Sequence, residues 1–305
     1  MIVSASYRTD IPAFYGQWFR NRLRAGAAQV RNPYGGPAFT VPLTGPDVDG
    51  FVFWTRNVNP FLSVLDEVRD RTGLPFYVHL TITGYPQALD AATIPALRAM
   101  EQVATLTARY GHGTVVWRYD PVIVTSLTPP AHHRAAFASL CREAAGAVDE
   151  VVLSVAHIYR KSARNLAVAA AARPFTWSDP PAADKCRLLA DLAAIAAAHG
   201  ITATLCGQPE LRTAGLGEAR CIDADRLARI ADQGGQGAPI AVARKPHRPR
   251  CGCWSSRDIG AYDSCPHGCV YCYAVASGER ARRNRRSHDP QAPFLLPPLP
   301  GRKRA

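Results

Sequence analysis

The sequence has no stretch that asks for a bilayer. Its most apolar window, Leu188 to Leu205, is interrupted by Asp191 and His199 and reads as a helix running into a strand, so no membrane partner is expected. The first residues, Met1-Ile2-Val3-Ser4-Ala5-Ser6-Tyr7-Arg8, turn polar and charged too soon for the basic region and long apolar stretch of a secretory signal, and a cytoplasmic protein is the expectation. No internal repeat is visible, which argues against a solenoid or a propeller. Acidic residues are scarce, 24 against 36 Lys and Arg, for a net charge of +12. That excess raises the question of nucleic acid. Half of it, however, lies after Tyr273, where eight basic residues face Glu279 and Asp289, and the remainder is spread thinly along the chain.

What is present is enough for a large core: 305 residues, 47% of them hydrophobic. Apolar, β-branched runs alternate with helical patterns, the signature of βα units around a parallel sheet. The expected strands are Ile2–Ser6, Phe51–Thr55, Phe76–Ile82, Thr114–Trp117, Val151–Val155 and Ile201–Leu205. The expected helices are Pro12–Ala25, Pro60–Thr72, Ile94–Tyr110, His133–Ala147, Asp184–His199 and Asp223–Asp232. Six such units point to an α/β fold, a complete or partial (βα) TIM-like barrel with a C-terminal cysteine-rich iron–sulfur loop; a doubly wound open sheet is the alternative. Residues 1–233 form the barrel-like part. Residues 234–277, entered through a flexible joint at Gly234–Gly237, form a cysteine-rich segment packed on it. Residues 278–305, rich in Arg and Pro, read as a disordered tail, and Arg173–Ala183 as an irregular insertion.

The nine cysteines are an odd number. In a reducing compartment clustered thiols bind metal or do chemistry more readily than they form disulfides. Cys265, Cys269 and Cys272 are spaced C-x3-C-x2-C, with the aromatic Tyr271 just before the last. Three thiolates on a short loop hold three irons of a [4Fe–4S] cube and leave the fourth open. S-adenosyl-L-methionine chelates such an open iron, and electron transfer into its sulfonium generates a 5′-deoxyadenosyl radical. The alternative is structural zinc, with His267 as an extra ligand. Cys206, Cys221, Cys251 and Cys253 form a second possible set, for an auxiliary [4Fe–4S] cluster or for zinc on the same four thiolates. Cys141 and Cys186 sit in helical patterns and read as small core residues.

Several segments also resemble a known family. The opening Ser4-Ala-Ser-Tyr-Arg8-Thr-Asp10-Ile-Pro12-Ala-Phe-Tyr15, the internal Trp54-Thr-Arg-Asn57 and Trp117-Arg-Tyr-Asp-Pro121, and the stretch from Cys251-Gly-Cys253 through Asp258-Ile-Gly-Ala-Tyr262 to Cys272-Tyr-Ala are similar to an uncharacterised bacterial domain of unknown function. Its C-terminal cysteines look like the cluster motif that radical S-adenosylmethionine enzymes carry near their N-terminus. The resemblance, from about Ile2 to Ala274, implies a radical-enzyme-like protein whose cluster loop comes last. The Gly-Gly-Glu stretch with which such enzymes grip the methionine amino group is missing. If Asp258–Tyr262 is a strand leading into the loop, the arrangement is a circular permutation.

Barrel chemistry sits at the C-terminal ends of strands, and those ends are polar here. Arg118 and Asp120, then Arg8 and Asp10, are the leading catalytic candidates. Tyr271, Arg56 and Asn57 are candidates for cofactor binding. Strand-end charges also brace loops, a reading that stays open for each of them. His132 and His133 read as solvated in a Pro-rich loop. The run Arg244–Arg250 reads as a counter-charge to a cluster, as a phosphate contact or as a solvated linker. The expectation is a radical S-adenosylmethionine enzyme acting on a small molecule or peptide, reduced by a flavodoxin or ferredoxin. The alternatives are a zinc-stabilised nucleic-acid-binding protein and a non-catalytic iron–sulfur electron carrier.

Overall fold

In a parallel sheet covered on both faces, strands are continuous apolar runs, and the six sequence-predicted runs do become its six central strands. The computed structural model describes residues 1–33, 35–235, 240, 242–246 and 251–297. In chain order the elements are β1 (Ile2–Ala5), α1 (Ile11–Phe14), α2 (Gly16–Arg24), β2 (Ala27–Val30), β3 (Phe39–Pro42), β4 (Gly50–Thr55), α3 (Leu62–Thr72), β5 (Phe76–Thr81) and α4 (Ala96–Tyr110). There follow β6 (Val115–Val122), α5 (Pro130–Ala144), β7 (Glu150–Val155), α6 (Arg160–Ala172), α7 (Ala182–Ala198), β8 (Thr202–Leu205), β9 (Gly217–Glu218), α8 (Ala224–Gln233), β10 (Ser256–Asp258) and α9 (Gly278–Arg286). One eight-stranded sheet runs in the order β10-β1-β4-β5-β6-β7-β8-β9, with every pairing parallel. The hairpin β2–β3 stands apart as a two-stranded antiparallel sheet.

Alternation along the strands sends successive residues to opposite faces. Val3, Phe51, Phe53, Val78, Leu80, Val115, Trp117, Val151 and Leu153 join helix residues such as Phe19, Leu65, Leu106, Phe137 and Leu192 in the larger core. Ile2, Val52, Tyr77, Val116 and Val152 face the other way, into a smaller core with Leu227 of α8, Cys221, Cys251, Cys253 and Trp254. Because neighbouring strands follow each other in sequence and such crossovers are right-handed, the connecting helices collect on one face. The opposite face is filled by α8, by Ala219, Cys221 and Ile222 before it and by Cys251, Cys253 and Trp254 after it.

The expected barrel is therefore present as a parallel sheet flanked by helices; no strand pairing between its margins, β9 and β10, occurs among the described residues. The two margins do approach each other. A Cβ on Gly252 would stand 3.0 Å from the Glu218 carboxylate, and the Trp254 amide donates to the Ile222 carbonyl at 3.1 Å.

Four expectations change. The strand expected at Asp258–Tyr262 comes earlier, at Ser256–Asp258, and its register with Ile2–Ser4 sets it as an edge strand beside β1. Pro12–Ala25 breaks into two helices at Tyr15. His133 is fully buried in α5, where Tyr119 Oη lies 2.9 Å from Nδ1 and the Ile123 carbonyl 3.0 Å from Nε2; it is a core residue. The tail is ordered as far as residue 297: Ser277 caps α9, and Trp18 Nε1 donates to the Ala292 carbonyl at 2.9 Å. An Arg-rich sequence concealed that contact because its energy lies in backbone acceptors and in Ala281 and Leu295, both buried. Residues 236–237 of the joint, 247–250 of the basic run and 298–305 of the tail lie outside the described residues.

Candidate functional site

Parallel strands put all their C-terminal ends on one side, so the polar residues that follow them meet there. Asp10 follows β1 and caps α1, its Oδ1 accepting from the Ala13 amide at 2.9 Å. Its Oδ2 accepts from the Arg56 amide at 2.8 Å and stands 2.8 Å from Nε2 of His267, inside the Cys265–Cys269 interval. His267 Nδ1 faces the Ala92 carbonyl at 3.1 Å. The histidine considered as a zinc ligand is thus engaged on both ring nitrogens.

Arg56, after β4, reaches the other half of the loop. Nη1 pairs with Asp90 at 2.8 Å, and Nη2 donates to the Tyr271 hydroxyl at 2.7 Å, which itself donates to Asp90 Oδ1 at 2.6 Å. The loop also joins this segment through its backbone, the Val270 amide donating to the Leu89 carbonyl at 3.0 Å. Burial raises the Cys269 thiol well above its ordinary range, with Arg56 pulling it back down. Cys265 is likewise raised by burial and by Asp10. Burial also raises Cys272, against the pull of the Ala274 and Val275 amides, Arg56 and Lys161. A cavity of about 260 Å³ opens beside Arg56, Thr81, Thr83, Tyr85, Asp90 and Ile94.

Arg118 and Asp120 belong to a different group. They pair with each other, Nε to Oδ2 at 3.0 Å, and Ser154 donates to Asp120. The guanidinium lies 5.1 Å from the Trp54 ring centroid, and Nη1 is 3.1 Å from Cys221 Sγ. Cys221 Sγ is 3.3 Å from Cys206 Sγ. Hydrogen bonding from Cys206 draws the Cys221 thiol down, but hydrogen bonding to Cys253 and burial outweigh it and leave the thiol up at about 12. Among the described residues no three His, Cys, Asp or Glu side chains are already arranged as ligands of one metal ion.

The candidate residues therefore divide. Asp10, Arg56 and Tyr271 gather at the Cys265–Cys272 loop; Arg118 and Asp120 gather with Cys206 and Cys221. Arg8 stands with Asp258 (Nε to Oδ1, 3.3 Å), between the rings of Tyr7 and Tyr262. Asn57 is held by Gln102 at 2.9 Å and by the Asn59 amide, as a local brace. Cys141 is buried in α5 and Cys186 half-buried in α7, in keeping with packing roles. Arg244 stacks 4.6 Å from the Trp254 ring centroid. Sequence reasoning missed Asp90, which follows no strand and belongs to no motif. It also missed Asp258, which accepts from Ser4, Ser6 and the Tyr7 and Gly260 amides.

The family described as a domain of unknown function, DUF1848, matches residues 2–274. The chain belongs to this family. The match covers both cysteine groups and every strand of the DUF1848 sheet, and ends just before α9. Among curated proteins none matches the chain. Among solved structures, one similar chain is a mutant of atrazine chlorohydrolase from Arthrobacter aurescens TC1 complexed with zinc and atraton, at 10% identity and a TM-score of 0.28. That likeness covers 54% of this chain and 40% of the other.

Proposed function

We propose that this DUF1848 protein is a radical S-adenosylmethionine-type enzyme whose [4Fe–4S] cluster is held by Cys265, Cys269 and Cys272. The observation that carries the reading is the position of the loop: it follows a parallel strand of the sheet, lies at the strands' C-terminal side, and is anchored there by Asp10, Arg56 and Asp90. The residues fit the group. Three thiols within electrostatic reach of one another occupy one loop, the Ala274 amide donates to Cys272 Sγ at 3.4 Å, and Arg56 supplies positive charge to Cys269 and Cys272. Thiolates of a cube each bind a different iron, so they need not crowd together as the ligands of one ion do. When bound, the cluster supplies reductive cleavage of S-adenosylmethionine to a 5′-deoxyadenosyl radical.

In this reading Arg56 and Asp90 do two tasks. They fix Tyr271, and through it the last turn of the loop, and they present a polar wall to the adjoining cavity, where the charged groups of the cofactor or substrate would lie. The sheet acts as an opened (βα) barrel in circularly permuted order: β10 and its loop are the customary first unit, set beside β1.

The test is direct. Anaerobically purified protein should carry iron and sulfide, and after reduction should convert S-adenosylmethionine to 5′-deoxyadenosine. Replacing Cys265, Cys269 and Cys272 with Ala should abolish that conversion. Native protein without iron, or iron-loaded and reduced protein that leaves S-adenosylmethionine intact, would refute the enzyme.

A further inference from the structure

Cys206 follows β8, Cys221 follows β9, and Cys251 and Cys253 precede β10. These positions lie far apart in sequence. The fold brings all four to the smaller core, with Cys221, Cys251 and Cys253 buried in it and Cys206 packed against it. One contact joins two of them directly, Cys206 to Cys221 at 3.3 Å between sulfurs, and Cys253 lies near enough to Cys221 to raise its thiol.

The direct contact distinguishes between two kinds of metal centre. A [4Fe–4S] cube takes each thiolate on a separate iron, and the sulfurs are held apart by the cube. Thiolates on one zinc ion at about 2.3 Å in tetrahedral geometry stand about 3.8 Å from one another. Sulfurs already at 3.3 Å suit the single ion.

We infer that Cys206, Cys221, Cys251 and Cys253 form a closed tetrathiolate site for one zinc ion, separate from the Cys265–Cys272 loop. Among the described residues no three of these thiols stand together as ligands of one ion, so uptake would draw the four sulfurs in around it. Uptake breaks four S–H bonds, forms four Zn–S bonds and releases four protons to solvent, which leaves the site with two negative charges. Arg118 is placed to oppose that charge. Its side chain is nearly buried, and Nη1 points at Cys221 Sγ from 3.1 Å, where a neutral thiol is a weak acceptor and a zinc-bound thiolate a strong one. The Cys221 backbone is also fixed, its carbonyl accepting from Tyr77 Oη at 2.9 Å and lying 2.7 Å from His79 Nε2.

The ion would tie together the two margins of the sheet. Cys206 and Cys221 stand at the β8–β9 margin, while Cys251 and Cys253 lie on the segment entering β10 at the other. Zinc would thus take the place of the missing β9–β10 pairing and steady the strand from which the Cys265–Cys272 loop departs. The inference does not depend on what that loop holds.

Metal analysis of the full-length protein and of a Cys265→Ser/Cys269→Ser/Cys272→Ser variant tests it. Both should hold about one zinc per chain, and Cys221→Ser or Cys253→Ser should lose it while Cys186→Ser retains it. Should the single variants fail to fold, the triple variant reconstituted with Co2+ should show the strong sulfur-to-cobalt charge transfer of a tetrathiolate site. Iron and sulfide in the triple variant, no metal in either protein, or a cobalt spectrum without that charge transfer would each overturn the zinc site. Absence of iron from the native protein with zinc present would overturn the radical-enzyme reading instead.

Discussion

Tyr271 donates its hydroxyl to Asp90 at 2.6 Å, across 181 residues of sequence, and so ties the cysteine loop to the segment between β5 and α4. Asp90 is almost fully buried and already accepts from Arg56 and from the Thr83 hydroxyl at 3.1 Å, so the Tyr271 hydroxyl completes its shell of donors. A hydrogen bond to a buried charge contributes about 1.5–3 kcal/mol. Tyr271→Phe should lower unfolding stability by that amount in a urea titration and increase amide exchange in residues 265–272. A loss below about 0.5 kcal/mol would mean that Arg56 and Thr83 satisfy Asp90 without the hydroxyl.

A second prediction concerns acid. Burial lowers the pKa of His133 from 6.5 to about 4, and it lowers that of His79 in the same direction. Between those two values the unfolded chain binds a proton at His133 that the folded chain refuses. Its contribution to stability is therefore complete above 6.5 and is lost as pH falls toward 4, at up to about 1.4 kcal/mol per pH unit. Urea midpoints measured from pH 7 to pH 5 should fall, and the fall should be shallower in His133→Gln. Equal slopes in the two proteins would exclude the buried neutral histidine as a cause.

The tail supplies a third. Truncation after Ser277 would remove Ala281 and Leu295 from the core, the Asn284 bond to the Asp263 carbonyl at 2.9 Å and the cover over Trp18. The apolar part alone is worth about 2–3 kcal/mol, so thermal stability should drop well beyond the effect of removing residues 298–305. Equal melting temperatures for the two truncations would restore the dispensable tail that composition implies.

The contrast between α9 and β4 shows what the sequence made legible. Gly50–Thr55 is a run of aromatics and Val that only a buried strand accommodates, and its period-2 split between two cores leaves no other element open to it. Gly278–Arg286 buries little more than Ala281, so its sequence has no apolar period to read. The hairpin Ala27–Val30 with Phe39–Pro42 was hidden for a related reason: short strands with one buried face leave a weak signal. At the site, Cys265, Cys269 and Cys272 were legible as a candidate set because their C-x3-C-x2-C spacing is local. The partnership of Asp10 with His267, 257 residues apart, and that of Cys206 with Cys221 exist only once the sheet is assembled.

The sheet order also bears on how the chain is made. Of the strands of this sheet β1 is made first, yet the strand that covers its outer edge, β10, is made last. Throughout synthesis of residues 6–255 that edge can pair on one side alone, with β4, and its other row of amides and carbonyls stays open to any extended chain nearby. Closing a loop of such length is slow relative to forming the local βα units. Ribosome-bound or C-terminally cleaved chains that end before Ser256 should consequently be the aggregation-prone species of this protein, and the cysteine loop emerges only on chains that already carry the strand able to seal that edge.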